Sequence, residues 1–450
     1  MTSVLLVSPP FYRLLGGHND WPALGLGYLA AVLNQHGLET RVYYTDRLPG
    51  QAHISLRDIF TGQAQYLDII KNPGHPLWAE IVDEIADYSP DLVGFSLVTP
   101  TYKGAVLLAQ AIKQRDPGIQ VVVGGPHATF AAQSLLECPA FDYVIRGEGE
   151  YTLLALAEGR EPSTIAGLTY RDAWGVVRTN PDRELIADLD QLPFPDPKFD
   201  LNPRPLNDDF EMIMTGRGCP FHCVFCASPQ LWKHRVRLRS VENVLSEIQF
   251  KYEMYGAKRF YFIDDVFNIN MQRTMNLCQA IIQAGLKIEW ICEARLDHLS
   301  RSLLDAMRQS GCNRIKLGVE SGSERVLRLM KKGIKLDQVR QAVALVKESD
   351  IDLTLYFLLG FPGETAEEAQ QSIALARELD PNYCSLGIVA PYYGTELYDM
   401  LQAQGQLPSG TDGWERCYHQ SLDLLRFSEV APSILDEFLA LNEQVGKSRL

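Results

Sequence analysis

The feature that most constrains the fold of this chain is a repeated alternation of short apolar segments with longer segments of helical apolar spacing. In the first part of the sequence, the apolar segments predict buried strands at residues 4–8, 39–44, 92–96, 119–123 and 141–145. Helical spacing between them is clearest at residues 24–36 and 103–114. Buried strands joined through helices favour a parallel, doubly wound, Rossmann-like sheet. Such sheets bind ligands beyond the carboxyl ends of their strands.

A second alternation follows a proline-rich stretch at residues 186–210, whose prolines favour neither helix nor ladder and so predict a linker. Six further strands are predicted at residues 212–215, 259–264, 288–293, 314–319, 352–359 and 383–389. Six βα units are too few for a closed eight-stranded barrel and suit a partial (β/α)6 TIM-type barrel. The sequence therefore predicts an α/β protein with domains at residues 1–185 and 211–400, the linker between them, and a short helical C-terminal region at 401–450.

Composition excludes several classes of protein. With 46% hydrophobic and 22% charged residues the 450-residue chain is typical of a soluble enzyme, and a net charge of −14 disfavours nucleic acid as a partner. No apolar run approaches the roughly 18 residues of a membrane span, and the N-terminus lacks the basic region of a secretory signal. Nine cysteines are too dilute for a disulfide scaffold. We expect a cytoplasmic protein with reduced thiols.

Three of those cysteines form a compact motif. In the sequence Gly-Arg-Gly-Cys-Pro-Phe-His-Cys-Val-Phe-Cys, Cys219, Cys223 and Cys226 are separated by three and then two residues. Glycine and proline favour an irregular loop after the first barrel strand, so the three thiolates can converge. A four-iron cluster normally takes four thiolates, and three leave one iron open for a ligand. Structural zinc is the rival, but it requires four protein ligands in paired spacings.

This motif resembles the radical S-adenosylmethionine (SAM) superfamily, and the resemblance extends over about residues 211–395. It implies a 4Fe-4S cluster on the three cysteines and SAM on the open iron. It also implies SAM-binding residues in the cysteine loop and at the ends of the following strands: Phe225, Asp264, Asp265, Arg295, Glu320 and Ser321. Arg295 is expected to face the SAM carboxylate. A single acidic residue at a strand end is more often a helix N-cap than a ligand, so the joint pattern at successive strand ends carries the prediction.

The N-terminal sheet carries a second set of candidate residues. Hydroxyls at Ser96 and Thr99 follow one predicted strand, and Gly124, Gly125 and His127 follow the next. Gly147 and Glu148 come after the last predicted strand. One alternative is that these glycines only form turns in a sheet that binds no ligand. A dinucleotide-binding site is disfavoured, because no Gly-x-Gly-x-x-Gly motif follows the first strand. Placed before a radical SAM barrel, this domain resembles the cobalamin-binding domain of cobalamin-dependent radical SAM enzymes. The Asp-x-His-x-x-Gly motif that supplies a lower histidine ligand to cobalt is absent.

The combined resemblance implies methylation of an unactivated carbon through methylcobalamin and a 5′-deoxyadenosyl radical. It implies a small-molecule or peptide substrate and an external electron donor such as flavodoxin or ferredoxin. Ring formation, contraction or oxidative cyclisation with the same cofactors is the main alternative, and a cobalamin sensor or carrier is the third. The other six cysteines show no second cluster spacing, which disfavours the methylthiotransferases. We expect these six to be packing residues.

Overall fold

A computed structural model describes residues 2–48, 53–204, 210–408, 410–411 and 413–447. They form two compact units. The first consists of Met1–Ala187, Gln191–Arg204 and Pro391–Tyr418, and the second of Asp188–Asp190, Pro205–Ala390 and His419–Leu450. Residues 205–209 of the predicted linker lie outside the described residues. No helix in the described part of the chain is both long and apolar enough to cross a membrane.

The first unit is built on a seven-stranded sheet with the strand order β2-β1-β3-β4-β5-β6-β7. Strands β1 to β5 pair in parallel, which confirms the predicted Rossmann-like arrangement. Strands β6 and β7 add an antiparallel edge that the sequence did not predict. The three residues of β7 are exposed and have no apolar pattern. The strands are β1 Val4–Ser8, β2 Thr40–Tyr44, β3 Leu92–Ser96, β4 Gln120–Gly124, β5 Tyr143–Ile145, β6 Leu168–Arg171 and β7 Val177–Thr179.

Helices of the first unit connect these strands and cover the sheet. Their apolar faces are buried: in α4, for example, Trp78, Ile81 and Ile85 point into the core. That helix begins with a proline after His75, whose ring accepts a hydrogen bond from the Leu77 amide. The helices are α1 Leu24–Gln35, α2 Leu56–Thr61, α3 Gln63–Ile70, α4 Pro76–Tyr88, α5 Tyr102–Arg115, α6 Pro126–Leu135 and α7 Glu150–Ala157.

The second unit contains a six-stranded sheet with the order β15-β14-β13-β12-β11-β8, in which every pair is parallel. It confirms the six strands predicted for a partial barrel. A short antiparallel pair, β9 with β10, follows the first strand. The strands are β8 Glu211–Ile213, β9 Gly216–Arg217, β10 Arg237–Leu238, β11 Arg259–Phe262, β12 Glu289–Ala294, β13 Cys312–Glu320, β14 Asp352–Leu359 and β15 Tyr383–Ile388.

Helices of the second unit begin at well-defined caps. Ser240, Asn270 and Ser300 each accept a backbone N–H from the first turn of the helix that follows. Thr365 and Glu368 form a capping box. The helices are α8 Ser228–Leu231, α9 Val241–Tyr255, α10 Met271–Gln283, α11 Arg301–Gln309, α12 Glu324–Leu329, α13 Leu336–Lys347 and α14 Ala366–Leu379.

The C-terminal residues are divided between the two units. Residues 391–418 belong to the first unit and the residues from 419 onwards to the second, whereas the sequence predicted a boundary at residue 400. The first unit includes α15 (Glu396–Ala403) and a short 3-10 turn at Trp414–Arg416. The second includes α16 (Pro432–Lys447), where Phe438 packs on Phe357 of β14 with ring centroids 5.3 Å apart. Most of the predicted linker is likewise packed in place: the Leu201 amide donates to the Val42 carbonyl oxygen at 2.7 Å.

Candidate functional site

The three-cysteine loop follows β9 in the second unit and is fastened to the end of β11. Asp264 is buried at that strand end and accepts the Thr215 amide (2.7 Å), the Gly216 amide (2.5 Å) and the Thr215 hydroxyl (2.9 Å). Burial raises the pKa of Asp264 to about 6. Asp264 therefore positions the start of the loop. Three donors of the protein are bound to its carboxylate, and its predicted contact with SAM stays a prediction.

The cysteines themselves lie half-buried in this loop, with Phe225 half-buried beside them. Burial raises the pKa of all three thiols, that of Cys226 to about 12, so their deprotonation depends on a bound cation.

Two further predicted residues lie at the same edge of the sheet. Asp265 is exposed, and its carboxylate accepts the Gly218 amide of the cysteine loop at 3.3 Å. Arg295, after β12, is 7% exposed and makes a two-point ion pair with Asp297 at 2.8 and 3.0 Å. Its guanidinium also stacks on the Phe221 ring, 3.5 Å from the centroid. Arg295 is thus next to the cysteine loop and paired with Asp297, and its predicted contact with the SAM carboxylate stays a prediction.

The end of β13 contributes Glu320, which has a left-handed backbone (φ +71°) and pairs with Lys332 at 2.6 Å. Burial alone would lower the pKa of Lys332, but the Glu320 carboxylate raises it above its ordinary value. The Lys332 ammonium also partly offsets the effect of burial on Cys223, whose thiol pKa it lowers. The pair therefore lies beside the cysteine loop. A Cβ at Gly318 would meet the Lys332 ammonium at 2.8 Å, so a glycine there leaves room for the pair.

Ser321, another of the predicted SAM-binding residues, follows the end of β13. It is fully buried, its hydroxyl accepts the Ser323 amide at 3.1 Å, and it lies 3.4 Å from the Ser372 hydroxyl. It therefore shapes the entry to α12, and its predicted role in SAM binding stays a prediction. Lys332, by contrast, was missed by sequence reasoning. The signal for it was weak, because a Lys-Lys-Gly stretch after a helix usually forms an exposed turn.

The predicted residues of the first unit meet at the ends of β3 and β4. Ser96 and Gly124 are direct neighbours in the sheet register. The Ser96 hydroxyl is half-buried and makes no hydrogen bond with the described residues. Gly125 has φ +95°, and a Cβ there would lie 2.8 Å from the Leu97 carbonyl oxygen, so the two loops can approach only with glycine. This strand edge offers a free hydroxyl and bare backbone, which fits the polar tail of a cobalamin.

Beside this edge lies His127, 2% exposed, which packs edge-on against Trp414 with ring centroids 4.3 Å apart. Its Nδ1 is 3.2 Å from the Thr99 hydroxyl, while its Nε2 is buried and has no hydrogen-bond partner among the described residues. Burial lowers the pKa of His127 to about 3. His127 and Thr99 thus form a neutral buried pair at the predicted site.

The remaining predicted residues follow β5. Gly147 has φ +72° and donates its amide to the Thr129 hydroxyl at 3.0 Å, with open space where a side chain would be. Glu148 is buried, and one of its oxygens accepts the Ile186 amide at 2.6 Å. Gly147 can therefore admit a ligand, whereas the Glu148 carboxylate holds the start of the predicted linker on the first unit.

His18, Asp20 and His53 are the one group of described histidine, cysteine and acidic residues whose ligand atoms lie close enough for a single metal ion. The Leu48 amide donates to His18 Nδ1 at 2.6 Å, so Nε2 carries the proton and faces Asp20 at 3.1 Å. Metal binding through Nε2 would require the opposite tautomer. The arrangement is that of a hydrogen-bonded histidine–aspartate pair.

Comparisons with known proteins agree with this two-site architecture. A model of the radical SAM superfamily matches residues 213–376, and a model of the B12-binding domain matches residues 17–157. These families bind a 4Fe-4S cluster with SAM and cobalamin, respectively. TsrM, a radical SAM methyltransferase from Kitasatospora setae whose structure holds cobalamin and a [4Fe-4S] cluster, has the same fold. It superposes with a TM-score of 0.67 at 19% identity, over 90% of this chain and 75% of TsrM.

Two relatives resemble the chain over nearly its whole length. An uncharacterized methyltransferase of Pyrococcus horikoshii is 34% identical over 418 residues, which are 90% of this chain and 84% of that protein. An anaerobic magnesium-protoporphyrin IX monomethyl ester cyclase of Rubrivivax gelatinosus is 27% identical over 88% of this chain and 70% of its own length. The chain therefore belongs to the family of cobalamin-dependent radical SAM methyltransferases.

Proposed function

We propose that this protein methylates an unactivated carbon of a small-molecule or peptide substrate. The observation that carries the proposal is the three-cysteine loop in the second unit, next to the buried Lys332–Glu320 pair. Three thiolates leave one iron of a cluster free, and the neighbouring charges suit the amino and carboxylate groups of SAM. The sheet of the first unit supports cobalamin as the second cofactor, because Ser96, Gly124 and Gly125 lie together at the ends of its strands β3 and β4.

The proposed roles of the chain's own residues follow from their contacts. Cys219, Cys223 and Cys226 hold the cluster, and Phe225 covers one side of it. Lys332 binds the SAM carboxylate, and the exposed Asp265 binds the SAM amino group. Asp264 and Arg295 act as positioning residues, because Asp264 holds the loop and Arg295 stacks on Phe221 within it. Glu320 keeps Lys332 charged and oriented.

In the first unit we propose that Ser96, Gly124, Gly125 and Gly147 line the cobalamin site, with Thr99 and His127 beneath it. When bound, the cluster supplies one electron to SAM and cobalamin carries the methyl group. The residues around both sites bind and orient these groups and exclude water from them. Glu148, whose carboxylate is tied to Ile186, supports the site from within the fold.

The electron for this chemistry comes from outside the chain in our proposal. Flavodoxin or ferredoxin has the required chemistry, and both operate in a reducing compartment. All nine cysteines are free thiols, which suits the same compartment. We therefore propose a cytoplasmic enzyme that receives electrons from such a donor.

One second candidate has a specific observation in its favour. The similarity to the cyclase of Rubrivivax gelatinosus supports a reaction in which both cofactors are used without methyl transfer, such as oxidative ring closure. A cobalamin sensor or carrier would make no use of an incompletely coordinated iron, so the cysteine loop disfavours that alternative.

An anaerobic assay separates the candidates. Reconstituted protein is incubated with SAM, a reductant, cobalamin and candidate substrates, and the products are quantified. Comparable amounts of 5′-deoxyadenosine and S-adenosylhomocysteine support methylation, whereas 5′-deoxyadenosine alone supports the cyclase type. Absence of both products would support the sensor and overturn the proposal.

Two cysteine variants test whether the three-cysteine loop binds the cluster. Cys223→Ala should lose most of its bound iron and form no 5′-deoxyadenosine, because it removes one of three cluster ligands. Cys384→Ala changes a buried cysteine of β15 that we expect only to pack, so it should retain both. Iron content per chain and product yield are the measurements, and iron retention by Cys223→Ala would refute the assignment.

A further inference from the structure

One stretch of the second unit is strongly basic in a chain that is acidic overall. Residues 212–241 contain five lysines and arginines and no aspartate or glutamate, whereas the whole chain has a net charge of −14. The stretch includes the cysteine loop and the short helix α8 that follows it, and the antiparallel pairing of β9 with β10 closes it. Its positive charges therefore belong to the same hairpin as the three cysteines.

The exposed part of this charge lies between α8 and β10, at residues 233–235, which we term the basic turn. Lys233, His234 and Arg235 are all exposed, and Arg235 makes no ion pair with the described residues. Arg239, farther along the same stretch, is buried and pairs with Glu247 at 2.5 Å. The buried cation thus serves the fold, whereas the basic turn presents its side chains to the solvent.

The basic turn keeps these side chains on a backbone that favours glycine. Lys233 has φ +52° and His234 has φ +55°. Hydrogen bonds hold the turn: the Lys233 amide donates to the Gln230 carbonyl oxygen at 3.2 Å and the His234 amide to that of Pro229 at 2.8 Å. Glycine or asparagine would adopt two successive left-handed positions at lower cost. Retention of lysine and histidine here points to a use for their side chains at the surface.

The basic turn lies directly against the cysteine loop. A Cβ at Gly218 would be 2.0 Å from the Arg235 carbonyl oxygen, so the two backbones are in contact. His222, an exposed residue of the cysteine loop, stacks near His234 with ring centroids 4.5 Å apart. His222 also directly precedes Cys223, and consecutive Cα atoms are about 3.8 Å apart. A molecule that rests on these two histidines is therefore next to a proposed cluster ligand.

The proposed function requires an electron from outside the chain, and the electron has to enter near the cluster. Electron-transfer complexes use small interfaces, in which opposite charges steer the partners together. Flavodoxins and ferredoxins are acidic proteins, and the net charge of −14 repels an acidic partner from most of this chain. A local basic surface beside the cysteines therefore decides where such a partner docks.

We propose that the basic turn and His222 form the docking surface for an acidic electron-transfer protein of the flavodoxin or ferredoxin class. The inference rests on the proposed function, which it extends by assigning the surface at which the electron enters. In each encounter the donor protein loses one electron and the cluster gains one, and no bond to the protein forms or breaks. Nucleic acid is the other large anion that a basic surface attracts, but its binding would not require contact with a cysteine loop.

The first test measures binding to the anaerobically reconstituted holoenzyme by isothermal titration calorimetry, with a purified flavodoxin and a purified bacterial ferredoxin as probes. At least one of them should bind, and its Kd should rise about ten-fold or more between about 20 and 300 mM salt. Arg235→Glu reverses an exposed charge and should weaken binding at low salt about ten-fold. Arg235→Lys keeps the charge and should bind within about two-fold of the wild type.

The second test separates docking from cluster chemistry. Formation of 5′-deoxyadenosine from SAM is driven either by the reduced donor protein or by dithionite, a small reductant that needs no docking surface. Arg235→Glu should lower the ratio of the donor-driven rate to the dithionite-driven rate about ten-fold. Lys287→Glu makes the same change of charge at an exposed residue before β12, at the opposite end of the parallel strands, and should keep the wild-type ratio.

A second variant of the surface keeps the result interpretable. His234→Glu places a negative charge on the basic turn and should lower the same ratio a few-fold, even if Arg235→Glu folds poorly. Iron content and far-UV circular dichroism establish that each variant is loaded and folded.

The inference is overturned if neither probe binds, if binding does not depend on salt, or if folded Arg235→Glu and His234→Glu both keep the wild-type ratio. Tighter binding of an oligonucleotide than of either probe would also overturn it. The proposed function is followed separately, by dithionite-driven 5′-deoxyadenosine formation by the wild type. If that product forms and the ratio does not change, the docking surface is wrong while radical SAM chemistry stands. If the product does not form, the proposed function fails first.

Discussion

Charged side chains beside the cysteine loop are paired with other side chains of the protein. Arg295 is held by Asp297, and Lys332 is held by Glu320. An unpaired charge at these buried positions would cost several kcal/mol, so each group needs a partner. A ligand with its own amino and carboxylate groups can exchange with these partners without exposing a bare charge. Lys332 is the residue through which such an exchange is most easily detected.

Replacement of Lys332 by methionine should therefore weaken SAM binding. We expect the Kd to rise about 10- to 100-fold, which corresponds to the loss of one charge-assisted hydrogen bond. The measurement is equilibrium dialysis of labelled SAM against the anaerobic reconstituted protein, with iron content as the check on cluster loading. Lys331→Met alters the exposed neighbouring lysine and serves as the control. Equal affinity for SAM in the two variants would contradict the assignment of Lys332.

The buried His127 should make the stability of the protein depend on pH. Its pKa in the folded protein is about 3, below the ordinary 6.5, so the unfolded chain binds a proton that the folded chain does not. The stability that His127 contributes is therefore complete above pH 6.5 and is lost as the pH falls from 6.5 towards 3. Between pH 7.5 and 5.5 this group alone should lower the free energy of unfolding by about 1.4 kcal/mol.

The ring resonances of His127 in an NMR spectrum of histidine-labelled protein report this directly. They should not move between pH 8 and pH 5, while resonances of solvent-exposed histidines do. A midpoint for His127 near pH 6.5 would show that the ring is not buried as a neutral group.

The path of the cysteine loop is fixed by close contacts with the backbone and side chains of neighbouring elements. Asp264 holds its first residues, the Val224 amide donates to the Met330 carbonyl oxygen at 3.1 Å, and Gly218 has φ +107° against the backbone of Arg235. No side chain fits at Gly218, because a Cβ there would overlap the Arg235 carbonyl group. The glycine therefore fixes the path on which the thiolates converge.

Gly218→Ala should disturb cluster binding while the fold persists. We expect iron content to fall several-fold, since the loop must move away from Arg235, with far-UV circular dichroism unchanged. Gly285→Ala is the matched control: it also has a positive φ (+67°) but meets no atom within 4 Å, so only the backbone strain of about 1 kcal/mol applies. Similar iron content in both variants would show that the contact with Arg235 is unimportant.

At the scale of the whole molecule, the C-terminal residues complete both units. Residues 391–418 join the first unit, where Tyr418 packs edge-on against Phe11 with centroids 5.2 Å apart. Helix α16 joins the second, where Glu437 accepts from Gln370 at 2.9 Å and pairs with Arg377 at 2.8 Å. Neither unit is therefore contiguous in sequence, and each depends on the chain's last sixty residues.

Phe438→Ala should destabilise the second unit markedly. The ring is fully buried against Phe357, and its removal leaves a cavity that costs about 3–5 kcal/mol. Urea unfolding followed by circular dichroism measures the effect. Leu422→Ala, which truncates a side chain that is 38% exposed, should cost less than about 1 kcal/mol. An equally small loss for Phe438→Ala would mean that α16 adds little to the unit.

Much of this organisation could be predicted from local pattern. The eleven predicted strands and the cysteine spacing depend on residues close together in the chain, and the structure contains all eleven strands. The antiparallel edge strand β7 was missed because its residues are exposed and carry no apolar period. Ser321 and Asp264 were identified as strand-end residues, but the sequence could not show their hydrogen-bond partners, because Thr215 and Ser372 come from other elements.

By itself, then, the sequence determined the two alternations of strand and helix, the three-cysteine loop and the glycine-rich edge, because periodicity and spacing are local properties. Only the tertiary structure decided that Lys332 lies beside Cys223, that Arg295 is paired with Asp297, and that the basic turn lies against the cysteine loop. It also decided which unit each C-terminal segment joins. These outcomes depend on side-chain direction and on contacts between distant residues, which form only when the sheets are assembled.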